Sequence, residues 1–142
     1  MNHRRARLAW ARAHAQRTVA HWQHVIFTNE SHFRLYTADG LIRIHRLQQE
    51  THLEEGIQET VQAGGGQMSV WGGIHSTAKT PLVVYEGGMT GVKYREVLEQ
   101  QLVPYARGVF QNNFCLQDDN APPHRARVVT NYLENEEIQR LD

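Results

Sequence analysis

The sequence has a single cysteine, only four prolines and no long apolar run. A lone Cys115 excludes an internal disulfide and fits a reducing compartment. No stretch approaches the ~20 apolar residues of a membrane span. Met1-Asn2-His3-Arg4 opens a basic helix rather than the apolar core of a signal peptide, so no membrane partner is expected. Internal repeats and low-complexity segments are missing too. So is an excess of either charge, with 15 Lys and Arg against 15 Asp and Glu. What remains is 40% hydrophobic and 21% charged over 142 residues. That is the composition of one soluble globular domain with a real core.

The zero balance hides an asymmetry. Residues 1–46 hold eight arginines against two acids, Glu30 and Asp39, a net of +6. The remaining 96 residues carry seven basic and thirteen acidic groups, a net of −6. A basic segment favours a polyanion such as DNA, for which Arg4, Arg5, Arg7, Arg12, Arg34, Arg43 and Arg46 are the contact candidates. A solvated helix face accounts for the charge alone equally well.

Periodicity supplies the elements. Arg4 to Gln16 reads as a helix with Leu8, Ala11 and Ala15 on one stripe, and Thr18 caps a short second helix through Trp22. Val25, Ile26 and Phe27 form an apolar strand, with Thr28-Asn29-Glu30-Ser31 at its end. Phe33 and Leu35, a turn at Asp39-Gly40, then Ile42 and Ile44 spell a hairpin, and Leu47 to Ala63 is a polar loop or poorly fixed helix. Gly64-Gly65-Gly66 lacks the Lys-Ser/Thr of a phosphate cradle and reads as a loop. Strands at Met68–His75 and Leu82–Tyr85 follow. Thr90 caps a helix whose apolar face is Tyr94, Val97, Leu98, Leu102 and Tyr105, and Pro104 ends or kinks it. A strand over Phe114–Leu116 leads through Pro122 and Pro123, expected in the first helical turn, to a helix striped by Ala126, Val129 and Leu133. Ile138–Leu141 begins a last strand. Nine histidines invite a metal reading, but His21 and His24 lack a second pair at ligand spacing, so surface histidines are expected. Trp10, Trp22 and Trp71 have faces that stack on bases, but Trp22 and Trp71 are expected to pack instead.

Two stretches carry the chemistry. Gln117-Asp118-Asp119-Asn120-Ala121-Pro122-Pro123-His124 sets acids at the end of a buried strand, where a hard divalent cation finds a rigid carboxylate. Asp118 and Asp119 leave the strand on opposite faces; Asp118 is expected to face solvent or cap a helix. The earlier stretch, Trp22 to Phe33, reads W-x-x-V-I-F-T-x-E-S-x-F. With the glycines before M-S-V-W-G and the Q-x-D-N-A-P-x-H pattern, in that order, the chain resembles the catalytic domain of Tc/mariner transposases from about Arg4 to Asp142.

The resemblance implies an α/β, ribonuclease-H-like mixed sheet flanked by helices, with a hairpin or loop insertion after the first strand. It implies that the ends of the first and fourth strands lie side by side. Residues 1–24 would be a basic lead-in to a missing recognition region, and 25–142 a partial catalytic domain. The implied activity is DNA transposition and integration by two-metal strand cleavage with Mg²⁺ or Mn²⁺, in the nucleus, with homodimers or pairing to an intact transposase. The first catalytic acid of the family falls on Asn29 and the second on Asp119. The third lies farther on than the 23 residues that follow Asp119. Metal binding at Asp119 and Asn29 is therefore expected to be weak and the domain inactive; the alternative is a retained DNA-binding or pairing module. Glu30 leaves its strand on the other face from Asn29, which disfavours it as a substitute. His124 matches the family's histidine near the metal site, where it either orients the turn by hydrogen bonds or contacts substrate. Gln117 and Asn120 match with a mainly structural role. A covering helix of the family is absent, so apolar surface is expected near Ile138–Leu141.

Overall fold

The computed structural model describes residues 3–34 and 66–141. The expected hairpin at Asp39-Gly40, the polar stretch to Ala63, and Arg43 and Arg46 fall outside them. The described elements are α1 (His3–Ala13), α2 (Val19–Trp22), β1 (Val25–Arg34), β2 (Gln67–Ile74), β3 (Val83–Tyr85), α3 (Gly91–Val97), α4 (Val103–Phe110), β4 (Cys115–Gln117), α5 (Arg127–Asn135) and β5 (Gln139–Arg140).

The sheet runs in the order β3-β2-β1-β4-β5. The β1–β2 and β2–β3 pairs are antiparallel; β4 lies parallel to β1 and β5 parallel to β4. The first and fourth strands are thus neighbours, as the resemblance implies. β1 is longer than the apolar run suggested, because Thr28 to Arg34 keep pairing with β2. Asn29 therefore sits within a paired strand, opposite Gly72, and not in a turn beyond it.

Alternation along β1 sends Ile26, Thr28 and Glu30 to one face and Phe27, Asn29, Ser31 and Phe33 to the other. The first face is covered by helices, and its core joins Ile26, Trp71, Leu116, Tyr94, Leu98, Leu102, Val129 and Leu133. Each fully buried Leu or Ile side chain there contributes about 2 kcal/mol to folding. Tyr94, Val97, Leu98 and Leu102 are buried as their spacing predicts, whereas Tyr105 is only half-buried. Pro104 neither ends nor breaks this helix. Leu98–Leu102 widens into a π-helical turn between α3 and α4, which accommodates the missing N–H one turn later. Gly91 opens α3 where a Cβ would stand 2.5 Å from Ala126 Cβ, so the approach of α3 to α5 requires glycine. Pro122 and Pro123 lie in the turn before α5 rather than in its first turn, since α5 starts at Arg127 with Ala126 as N-cap.

The other face of the sheet is exposed among the described residues. Phe33, Met68, Ile74 and Leu82 are each more than half exposed. This is where the uncovered apolar surface lies; Leu141 is buried and Ile138 half-buried, so the expected exposure at that edge does not occur. α1 buries none of its residues. Rings link it to the sheet: Trp10 lies against Trp22 at 6.2 Å, and Trp22 stacks on Phe27 at 6.2 Å.

Candidate functional site

Phe27 and Gln117 form the last partners of the parallel β1–β4 pair, and Asn29 and Asp119 each lie two residues beyond them. Topology therefore brings the two expected positions to neighbouring strand ends, but their side chains take different paths. Asn29 points to the exposed face, where it lines an apolar groove of about 640 Å³ with Phe27, Phe33, Met68, Ile74 and Leu82. Asp119 turns the other way, into the loop before α5. Its Oδ1 accepts from the Ala121 N–H at 2.8 Å and lies in ion-pair contact with His124 Nδ1 at 2.8 Å, while the Asp119 carbonyl bonds that nitrogen at 3.3 Å.

His124 is the hub of the site. Its side chain is 2% exposed, and its Nε2 donates to Glu30 Oε1 at 3.1 Å. The ring lies over Tyr94 with centroids 4.1 Å apart, and its carbonyl oxygen accepts from Arg140 Nη2 at 2.6 Å. These bonds tie the ring to β1 on one side and to the turn that carries Asp119 on the other. Burial opposes its protonation. The hydrogen bond and charge of Glu30, then the charge of Asp118 and the Asp119 backbone, outweigh that and raise its pKa above the ordinary 6.5.

Asp118 corrects the sequence reading. It neither faces solvent nor caps a helix: its side chain is 1% exposed and lies between cations. Oδ2 accepts from Tyr94 Oη at 2.9 Å and pairs with Arg140 at 3.1 Å. Arg125 approaches Oδ1 at 3.4 Å, an ion-pair contact without a hydrogen bond. Burial and then the Asp118 charge hold the Tyr94 phenol well above its usual pKa, so it stays a donor. The signal was present in the strand. Asp118 has the parity of buried Leu116, and Glu30 that of buried Ile26, so both point inward. Gln117 Nε2 donates to the Asp118 carbonyl, and Asn120 Oδ1 accepts from Arg125 Nε. Tyr94 and Arg140 carried no signal beyond a core stripe and a strand end.

The arginine candidates separate. Arg4, Arg5, Arg7 and Arg12 are exposed on α1, and Arg34 is exposed at the end of β1. His21 and His24 do not form a ligand pair: His21 bonds Thr18, and His24 donates to the Asn113 carbonyl. Trp71 is fully buried, while Trp10 keeps 39% exposure.

These side chains do not fit a pair of divalent cations. Asn29 offers one neutral carbonyl oxygen and an NH₂ group, and Asp119 Oδ1 already accepts from the Ala121 N–H with His124 Nδ1 in ion-pair contact. Among the described residues no group of three His, Cys, Asp or Glu could hold a metal ion. No helix among them is long and apolar enough to cross a membrane.

The mixed five-stranded sheet, with β1 parallel to β4 and helices on one face, is a ribonuclease-H-like fold, matched by solved structures of the Mos1 transposase catalytic domain. The Mos1 catalytic domain with raltegravir and Mg superposes with a TM-score of 0.60 at 13% identity, over 96% of this chain and 56% of that one. The Mos1 paired-end complex with left transposon end gives 0.63 at 14% identity, over 95% of this chain and 39% of that one. By sequence, the chain is a homologue of Tc1-type transposases over essentially its whole length. It is 33% identical to the Tcb2 transposase of Caenorhabditis briggsae across 96% of this chain and 50% of that protein. It is 31% identical to the Tc1 transposase of Caenorhabditis elegans across 98% and 51%. The chain thus spans about half the length of these curated relatives. No family model matches it.

Proposed function

We propose that this chain is a transposase-derived domain of the Tc/mariner class that has lost metal-dependent strand cleavage, and that it binds DNA in the nucleus without sequence preference. The observation that carries the loss is Asn29 on β1 beside Asp119. Two-metal phosphodiester chemistry needs carboxylates whose charge draws two dications together, and a neutral amide supplies none. Asn29→Asp restores one carboxylate. On supercoiled plasmid with Mn²⁺ this variant is expected to remain unable to nick. Nicking by the unmodified parent that disappears in Asp119→Ala would refute the reading, whereas nicking gained by Asn29→Asp would make this one substitution the whole of the defect.

A second reading, a binding or pairing module without catalysis, is favoured by α1. Arg5, Arg7 and Arg12 stand exposed on a helix that buries nothing. Residues 1–24 then act as a basic arm attached to the 25–142 domain. Phosphate-driven binding releases counterions, so affinity should fall steeply between 50 and 200 mM salt. Fluorescence anisotropy with two unrelated duplexes tests this. Equal affinities that collapse with salt support it, while strong discrimination between sequences or indifference to salt contradicts it. Pairing with a second copy or an intact transposase belongs to the same reading.

A further inference from the structure

The β1 side chain that reaches the Asp119 turn is Glu30, not Asn29. We propose that Glu30, His124 and Asp119 form a clasp in which Glu30 is a positioning residue, acting through His124, that holds the turn without a divalent cation. The inference stands apart from the loss of cleavage: either can fail while the other holds.

Geometry and donor chemistry carry it. A carboxylate and a backbone carbonyl both only accept, so with Glu30 on one side and Asp119 on the other both ring nitrogens of His124 face acceptors. Nε2 meets Glu30 Oε1 at 3.1 Å, and Nδ1 meets the Asp119 carbonyl oxygen at 3.3 Å with Asp119 Oδ1 in ion-pair contact at 2.8 Å. The Asp119 side chain is 63% exposed, and a short carboxylate there would ordinarily sample several rotamers. Here the Ala121 N–H holds Oδ1, and His124 holds the Asp119 carbonyl while lying in ion-pair contact with Oδ1. His124 is itself fixed on its face by Tyr94 and at its carbonyl by Arg140. The Glu30 side chain is 14% exposed and comes from the middle of β1, the central strand of the sheet. Its carboxylate has lost most of its water and is satisfied by the ring. The clasp therefore joins the central strand to the turn that presents Asp119. The tie spans 94 residues of sequence.

The test uses the whole chain, with melting and NMR as readouts. Glu30→Ala should lower Tm by ~4–8 °C, the scale of one lost buried charged hydrogen bond in a domain of this size. Glu30→Gln keeps an acceptor oxygen and should recover about half of that loss. His124→Ala and the double variant with Glu30→Ala should melt at nearly the same temperature, because the second change removes a link already broken. The carboxyl ¹³C resonance of Asp119 should move in Glu30→Gln, although the imidazole separates the two residues. Excess EDTA or Mn²⁺ should leave the parent Tm unchanged within ~1 °C. Additive losses, or an Asp119 resonance indifferent to Glu30→Gln, would overturn the clasp. So would a Tm rise of several degrees with Mn²⁺ that vanishes in Asp119→Asn, since it would make Asp119 a ligand instead. If His124→Ala fails to fold, the resonance shift in Glu30→Gln decides alone.

Discussion

Replacing Asp118 should destabilise this domain more than any other single polar change in the site. Its carboxylate is buried between the Tyr94 hydroxyl, Arg140 and Arg125 at 2.9, 3.1 and 3.4 Å. Arg125 is 38% exposed, so its attraction is screened and adds little. Arg140 is 15% exposed and would be left as a partly buried cation without its anion. Breaking one side of a buried pair costs about 3–5 kcal/mol. Asp118→Ala should approach the upper figure, because Tyr94 also loses its acceptor. Asp118→Asn keeps a carbonyl for Tyr94, and its cost should be nearer ~2–3 kcal/mol. At ~3 °C per kcal/mol for this size, the two variants should melt ~14 and ~8 °C below the parent. Thermal unfolding followed by circular dichroism, with urea titration at 25 °C, reads both. A shift below ~2 °C for Asp118→Ala would refute the reasoning and place Asp118 in solvent, as its sequence context first suggested.

Gly91→Ala separates helix propensity from packing: propensity favours alanine, but the new Cβ would collide with Ala126 Cβ 2.5 Å away. A Tm lower by ~3–6 °C is expected, and a rise would show that α3 and α5 move apart freely. His124 has its folded-state pKa raised above 6.5, so its contribution is fully present below that pH and is lost as pH climbs through the raised value. The parent should therefore lose stability above pH 6.5 relative to His124→Gln, and parallel stability–pH curves would contradict this. The exposed apolar face predicts concentration-dependent association, reduced in Ile74→Lys. Light scattering that finds both forms monomeric across concentrations would count against it.

Much of this fold was legible because its signals are local. The Thr18 and Thr90 caps, the Tyr94–Leu102 stripe and the apolar strands follow from period and capping chemistry. The strand order was not legible from periodicity, since pairing β1 with β4 is a contact across about ninety residues; the motif resemblance supplied it. Pro104 shows why a breaker is only a local statement. The π-helical turn absorbed the lost bond because Leu98 and Leu102 remained buried on either side of it. The positions of Asn29 and Asp119 were readable, but their commitments were not. That Asn29 opens on an apolar groove and Asp119 on His124 depends on which way a turn folds back, which no spacing encodes. Asp118 was misread although parity with Leu116 pointed it inward, because an acid beside a turn suggests solvent.

The most direct test of the central claim is the parent protein itself, incubated with supercoiled plasmid and Mn²⁺ beside an Asp119→Ala control. Asn29 brings no carboxylate beside Asp119, and among the described residues no group of three His, Cys, Asp or Glu could hold a metal ion. The account predicts no nicking above the control at any Mn²⁺ concentration. Nicking by the parent that Asp119→Ala abolishes would contradict it.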